Sequence, residues 1–330
     1  MRRALIAVLS AALLMPLPVT AQVALGPLSS QEAGPLQRVG FSHAAEGADL
    51  VAHRVIEVGT SIAYSNIFEE DSSATHRLYM DLERLSTDVA VRWGAAPRLE
   101  VGGRLSFETT GGGILDSFIS GWHKRIGTPN ANRGSYPFDV YAQRLTDGLG
   151  NVRLDVPQRT MALEDVRLFV KWHAWESADG RRLVSVSGLA RVPTQDNGVG
   201  PRRTDASLTA LARMSWTRWH VHASMGGATV RAAQDYDGLL RSGAFFADVA
   251  VERSLVPWLS GVVQISLESP RLQGFDHPEL DGWPVNLVFG LAGRIAEHWR
   301  MDMSFQEDIP TRTPAADFTL TLGVRRSWGP

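Results

Sequence analysis

From Arg54 to the end of the chain, apolar and polar residues alternate with a period of two. That is the period of a strand whose two faces meet different media. Ile56, Val58, Thr60, Ile62 and Tyr64 alternate with Glu57, Gly59, Ser61 and Ala63. Leu99, Val101, Gly103, Leu105 and Phe107 alternate with Glu100, Gly102, Arg104, Ser106 and Glu108. The pattern returns in segment after segment, and Phe318, Leu320, Leu322 and Val324 close it against Thr319, Thr321, Gly323 and Arg325. Counting such segments gives about 12 strands, each near the 9–11 residues that cross a bilayer at a tilt. The connections alternate too. Tight turns such as 94–98 and Thr217-Arg218 fall on one side, and longer polar loops at 65–75, 110–159, 193–204, 232–242, 270–283 and 310–315 fall on the other. An even strand count with short turns on one side is the plan of an outer-membrane barrel, with its short turns in the periplasm. A β-sandwich also alternates, but here the polar face is charged in nearly every strand while the apolar face is small and aliphatic. The expected fold is all-β, a closed antiparallel transmembrane β-barrel spanning 54–330.

Tryptophan supplies the orientation. Trp93, Trp172, Trp175, Trp216, Trp219, Trp258, Trp299 and Trp328 lie at or beside strand ends on the short-turn side. Indole is apolar with one N–H, so it prefers a membrane–water boundary. These residues mark the periplasmic rim. Trp122 and Trp283 belong to the opposite loops.

Two segments break the period of two. In the long second loop (110–159), Ile114, Leu115, Phe118, Ile119, Trp122 and Ile126 follow helical spacing. A short amphipathic helix there would pack on the barrel mouth or fold into the lumen, with Asp116, Phe118, Ile119, Trp122, His123 and Arg133 as the gating or contact residues. Segments 136–144 and 151–156 suit an extra hairpin above the membrane. Residues 22–53 carry no clear period, and either plug the lumen or hang in the periplasm.

The start of the chain has an export pattern. Met1-Arg2-Arg3 is basic, Ala4 to Leu17 is apolar, and Val19-Thr20-Ala21 is a small-residue cleavage site, so 1–21 reads as a signal peptide. Past it no stretch of about 18 apolar residues occurs, which excludes helical spans. The chain has no cysteine, so disulfides and thiolate chemistry are excluded. A net charge of −2 gives no reason to expect nucleic-acid binding.

Ionisable residues of both signs take the inward parity. Glu57, Asp88, Arg92, Glu100, Arg104, Asp165, Arg167, Lys171, Arg213, Asp248, Glu252, Arg300 and Asp302 are the expected lumen lining. They suit a polar permeation path, and equally a narrow barrel filled by its own salt bridges. Mixed signs speak against strong ion selectivity. His220 and His222 share a face as strand-borne metal ligands would, but nothing specifies the rest of a site. No Gly-x-Ser-x-Gly or His-Glu-x-x-His pattern occurs, and Gly111-Gly112-Gly113 lacks the Lys-Ser/Thr of a phosphate loop, leaving a flexible lead-in to the helix. No catalytic residue, metal or cofactor is called for.

Several short motifs resemble an uncharacterised family of proteobacterial outer-membrane barrels, the domain of unknown function 3187. They are Asp116-Ser117-Phe118-Ile119-Ser120-Gly121-Trp122-His123, then Gly127-Thr128-Pro129 and Arg133, Glu164-Asp165-Val166, Arg191-Val192-Pro193-Thr194 with Gly198, and Phe305-Gln306-Glu307-Asp308. The resemblance implies an outer-membrane location and a barrel, and carries no assigned activity. The C-terminus also resembles a barrel-assembly signal: Gly323 and Trp328 fit, Arg326 stands where an apolar residue is usual, and Gly329-Pro330 run past the aromatic. Expected partners are outer-membrane lipid, lipopolysaccharide and the barrel-assembly machinery. The leading functional expectation is a channel for small polar or amphipathic solutes. The alternatives are a closed-lumen surface structural or binding protein and, third, a lipid-modifying enzyme.

Overall fold

A computed structural model describes residues 24–39, 41–73, 75–127, 133–194, 204–231, 238, 240–275, 278–309 and 315–329. The expected signal peptide therefore lies outside the described residues. The strands are β1 (Ile56–Ser72), β2 (His76–Ala96), β3 (Leu99–Gly111), β4 (Ala142–Asp147), β5 (Val152–Asp155), β6 (Ala162–Glu176), β7 (Arg182–Pro193), β8 (Asp205–Ser215), β9 (Trp219–Thr229), β10 (Gly243–Val256), β11 (Leu259–Glu268), β12 (Val285–Ala296), β13 (Trp299–Asp308) and β14 (Phe318–Trp328). Helices α1 (Asp116–Ile126) and α2 (Pro278–Asp281) sit in the long loops.

Twelve strands, all but β4 and β5, form a closed antiparallel barrel. Each pairs with its neighbours in sequence order, and β1 closes the seam on β14 from Ile56↔Trp328 to Asn66↔Phe318. Closure leaves no edge with unpaired backbone groups, which hydrocarbon would not tolerate. The outward face carries exposed aliphatic residues such as Ile62, Val91, Leu168, Val249, Ile265 and Leu322. So much apolar surface belongs in lipid. The eight rim tryptophans are all between 38% and 54% exposed. Arg326 explains its own departure from the assembly pattern. Its guanidinium lies 5.1 Å from the Trp299 ring centroid and 4.8 Å from that of Trp328, a cation–π pairing suited to the interface.

The first loop departs from expectation. The sequence pattern places a loop at 65–75, yet β1 continues to Ser72 and β2 resumes at His76. The alternation fades there because Ser65, Asn66, Ile67 and Phe68 are buried in succession, so both faces are covered. This extension stands above the barrel and carries the β4–β5 hairpin on its edge, from His76↔Asp147 to Asp81↔Ala142.

An apolar cluster closes the mouth at the long-loop end. It gathers Ile67, Leu78, Met80 and Leu82 from β1 and β2, Leu145 and Leu154 from the hairpin, and Leu240, Leu272, Phe275 and Leu280 from other loops. Ala33 and Leu36, from the segment before the barrel, form part of the same cluster.

Candidate functional site: the plugged lumen

Residues 24–39 and 41–53 occupy the inside of the barrel as an up-and-down hairpin. Its two limbs meet at the Gln31↔Ala44 bridge and through the Ala45 N–H, which donates to the Ser30 carbonyl at 3.0 Å. Both feet stand at the short-turn end. The Leu25 N–H donates to Glu252 at 3.0 Å, near the β10–β11 turn, and His53 bridges Gly94 beside the β2–β3 turn. The bend, at 34–39, reaches the apolar cap. Loop backbone cannot be buried without partners, and the barrel wall supplies them.

The ascending limb is held by carboxylates and amides. The Ser29 N–H donates to Asp302 at 3.1 Å, and the Gln264 side-chain amide donates to the Ser30 hydroxyl at 2.7 Å. Glu32 accepts from the Asn286 amide and from the Ala316 N–H. At the bend Arg38 pairs with Glu164, and Arg84 donates to the Ala33 carbonyl at 2.7 Å. The descending limb is held mostly by cations donating to its carbonyls. Arg271 reaches Phe41 at 2.7 Å, Arg167 reaches Ser42 at 3.1 Å, and Lys171 reaches Gly47 at 3.0 Å. His43 meets Asp248 at 2.7 Å, Arg213 pairs with Asp49, and the Val51 N–H donates to Glu100 at 2.7 Å. Apolar contacts add to this: Leu25 and Leu28 pack on Ala250, Val262, Val288 and Ala292, and Phe41 packs on Phe246.

The expected lumen residues divide by what they touch. Glu100, Arg167, Lys171, Arg213, Asp248, Glu252 and Asp302 all bond the hairpin. Arg92 bridges Glu57 and Glu100 at 2.9 and 2.8 Å, and Asp165 joins Arg167 at 3.0 Å and Arg191 at 2.7 Å. Arg104 reaches Asp88 only at 3.8 Å. The Arg300 side chain makes no ion pair or hydrogen bond among the described residues. His222 contacts Glu252 at 3.0 Å and His220 contacts the Ser215 hydroxyl at 2.9 Å, so the two histidines have separate partners.

A polar cavity of about 210 Å³ remains between the hairpin and the wall. Its wall side runs from Arg300 and Arg325 past Gly59, Ser61, Ser86 and Asp88 to Arg104 and Arg167. Its other side is the hairpin, with Ser29 and Ser30 from the ascending limb and His43 and Glu46 from the descending one.

The second loop is tied to the mouth. Asp116 is buried, accepts from the Asp139 N–H at 2.8 Å and pairs with Arg133 at 3.4 Å. Arg133 is also buried, bonds Asn66, and lies 4.9 Å from the Phe68 ring centroid. Ile119 is buried and Phe118 is exposed. The side chains of Trp122 and His123 lie outside the described residues. The glycines before α1 are not a flexible lead-in, as their composition suggests. A Cβ on Gly112 would collide with the Asp139 carbonyl oxygen, and one on Gly113 would collide with the Glu83 carboxylate. Glu83 needs that space to accept from the N–H groups of Ile114 and Leu115, at 2.9 and 2.6 Å.

Sequence reasoning missed Glu32, Arg38, His43 and Glu83. The first three lie in the segment without a period, where an isolated charge names no partner. Glu83 stands just ahead of the alternating run from Leu85 to Trp93, where nothing in the sequence marks it.

The family model described as a protein of unknown function, DUF3187, matches residues 5–328. The chain belongs to this family. No curated protein matches the chain by sequence. Among solved structures, the COG4313 outer membrane channel from Pseudomonas putida F1 is similar over 87% of this chain and 100% of its own, at 10% identity and a TM-score of 0.56. The NanC porin is similar over 82% and 98% at 11% identity, with a TM-score of 0.46. The first of these is a likeness of fold, and this DUF3187 member shares the outer-membrane barrel architecture.

Proposed function

We propose that this protein is a gated outer-membrane channel for small polar solutes, with the 24–53 hairpin as its gate. The observation that carries this reading is the hairpin's attachment. It fills the lumen through hydrogen bonds and ion pairs to side chains of a wall that is complete without it, and it leaves a polar cavity along one side. Both feet stand at the periplasmic end, so the hairpin withdraws without threading. Ile114 and Phe118, exposed at 77% and 64% around the start of α1, would touch outer-leaflet lipid or lipopolysaccharide.

Planar bilayers test it. Full-length protein is expected to be mostly closed with brief steps, and deletion of residues 24–49 is expected to give long, larger steps. The apolar cap favours a second reading, a surface structural or binding protein whose lumen stays closed. Silence of both the full-length and the deleted protein, each shown to be folded by its heat-dependent gel mobility, would select that second reading.

A further inference from the structure

Cross-strand register arranges six of the inward arginines in one row. Arg294 of β12 stands opposite Arg300 of β13, and Arg300 stands opposite Arg325 of β14. The row continues through Gly59 of β1 and Ala90 of β2 to Arg104 of β3, Arg167 of β6 and Arg191 of β7. Directly opposed side chains stand about 5 Å apart at Cβ, where like charges repel. The strands tilt, so the row climbs: Arg294 is beside a periplasmic turn, and Arg191 is near the extracellular end of β7.

The neighbouring row, one step toward the extracellular side, holds Asp302, Gly323, Ser61, Asp88, Ser106 and Asp165. Its carboxylates do not neutralise the arginines evenly. Asp302 takes Arg325 at 3.1 Å, and Asp165 takes both Arg167 and Arg191. Arg104 has only the 3.8 Å approach of Asp88, and Arg300 and Arg294 have no ion pair among the described residues. Between Arg325 and Arg104 the row drops to Gly59 and Ala90, two residues with almost no side chain. That gap opens on the cavity, which Arg300, Arg325, Arg104, Gly59 and Ala90 all line.

We propose that this gap is a binding site for small oxyanions, carboxylates or phosphate, held between Arg300 and Arg325 on one side and Arg104 on the other. Guanidinium groups present forked donors that match such groups. The Arg325 stem lies over Gly59, the short side chain of Ala90 leaves room next to it, and an anion there relieves the repulsion along the row. The assignment rests on the channel reading, since it names the solute class that the lumen would pass. Mixed charge, which in the sequence speaks against selectivity, is sorted by register into rows, and the basic row is in excess at the cavity.

The test is calorimetric titration of the full-length protein in nanodiscs with succinate and with inorganic phosphate at constant ionic strength. Binding is expected for at least one of the two. It should weaken about tenfold or more in R300Q, as loss of one charge-assisted bond implies. Arg300→Lys should keep part of it, and R144Q, which alters an exposed cation on β4, should leave it unchanged. Heat-dependent gel mobility confirms that each variant is folded. No binding of either anion, or equal weakening by R144Q, overturns the assignment. Bilayer recordings of the same samples separate the two readings. Oxyanion binding without conductance in the full-length or gate-deleted protein removes the channel and leaves the site. Conductance without oxyanion binding removes the site and leaves the channel.

Discussion

Single residues decide how the second loop sits on the mouth. Gly113 has φ of +76°, and its missing Cβ is where the Glu83 carboxylate binds the start of α1. G113A therefore combines left-handed backbone strain of about 1–2 kcal/mol with displacement of that carboxylate. Faster proteolytic cleavage within 112–160 is the expected result, with the barrel itself intact. Asp81, buried on the part of β2 above the barrel, titrates at about 6, raised by burial and then by the Asp116 carboxylate. A carboxyl whose folded value lies above its unfolded value binds protons better when folded. Such a group favours the folded cap below pH 6, and that contribution fades as pH rises through 6. Amide exchange in β4 and β5 is expected to be slower at pH 5 than at pH 7.5 after correction for intrinsic rates, and D81N should flatten the difference. The sequence shows Asp81 only as one polar residue ahead of the second strand, because its neighbours come from α1 and from the segment before β14, far along the chain.

At the scale of elements, legibility follows from where the two media lie. The spanning strands show in the sequence because lipid and lumen impose opposite demands on alternate residues. Helix α1 shows because Leu115, Phe118, Ile119, Trp122 and Ile126 recur every three or four residues, the spacing of one helix face. The β4–β5 hairpin shows in part: the second run matches β5, whereas the first, expected at 136–144, forms a strand only from Ala142 to Asp147. The plug does not show, since a chain bonded by a wall on every side needs no period. Its apolar anchors, Leu28, Leu36 and Phe41, are spaced by the shape of the cavity. Phe41 is the best lever on it. It is 2% exposed, and its ring lies 5.8 Å from that of Phe246. Phe41→Ala removes packing worth about 3–5 kcal/mol. If the hairpin is the gate, this variant opens more often in bilayers at unchanged step size. A larger step with unchanged opening frequency would contradict that.

For the whole molecule, parity along each strand identifies which residues face inward, but register decides which of them stand side by side. The arginine row exists only once Arg300 is set against Arg325 and Arg104 against Arg167. Loop lengths and bulges such as the one between Arg294 and Ala296 set those pairings, and composition carries no trace of them. One rim, by contrast, stands out from the tryptophans alone, because the short-turn ends collect them. The hairpin's covalent link to β1 through Arg54 and Val55 has a kinetic meaning. A tethered segment competes for its own pocket at an effective concentration on the order of millimolar, whatever the dilution of the protein. Closure is then a first-order event that surrounding molecules scarcely dilute or outbid. A free peptide spanning 24–49, added to barrels lacking that stretch, should reach the closed fraction of the intact protein only near millimolar dose, and the block should vanish on washing.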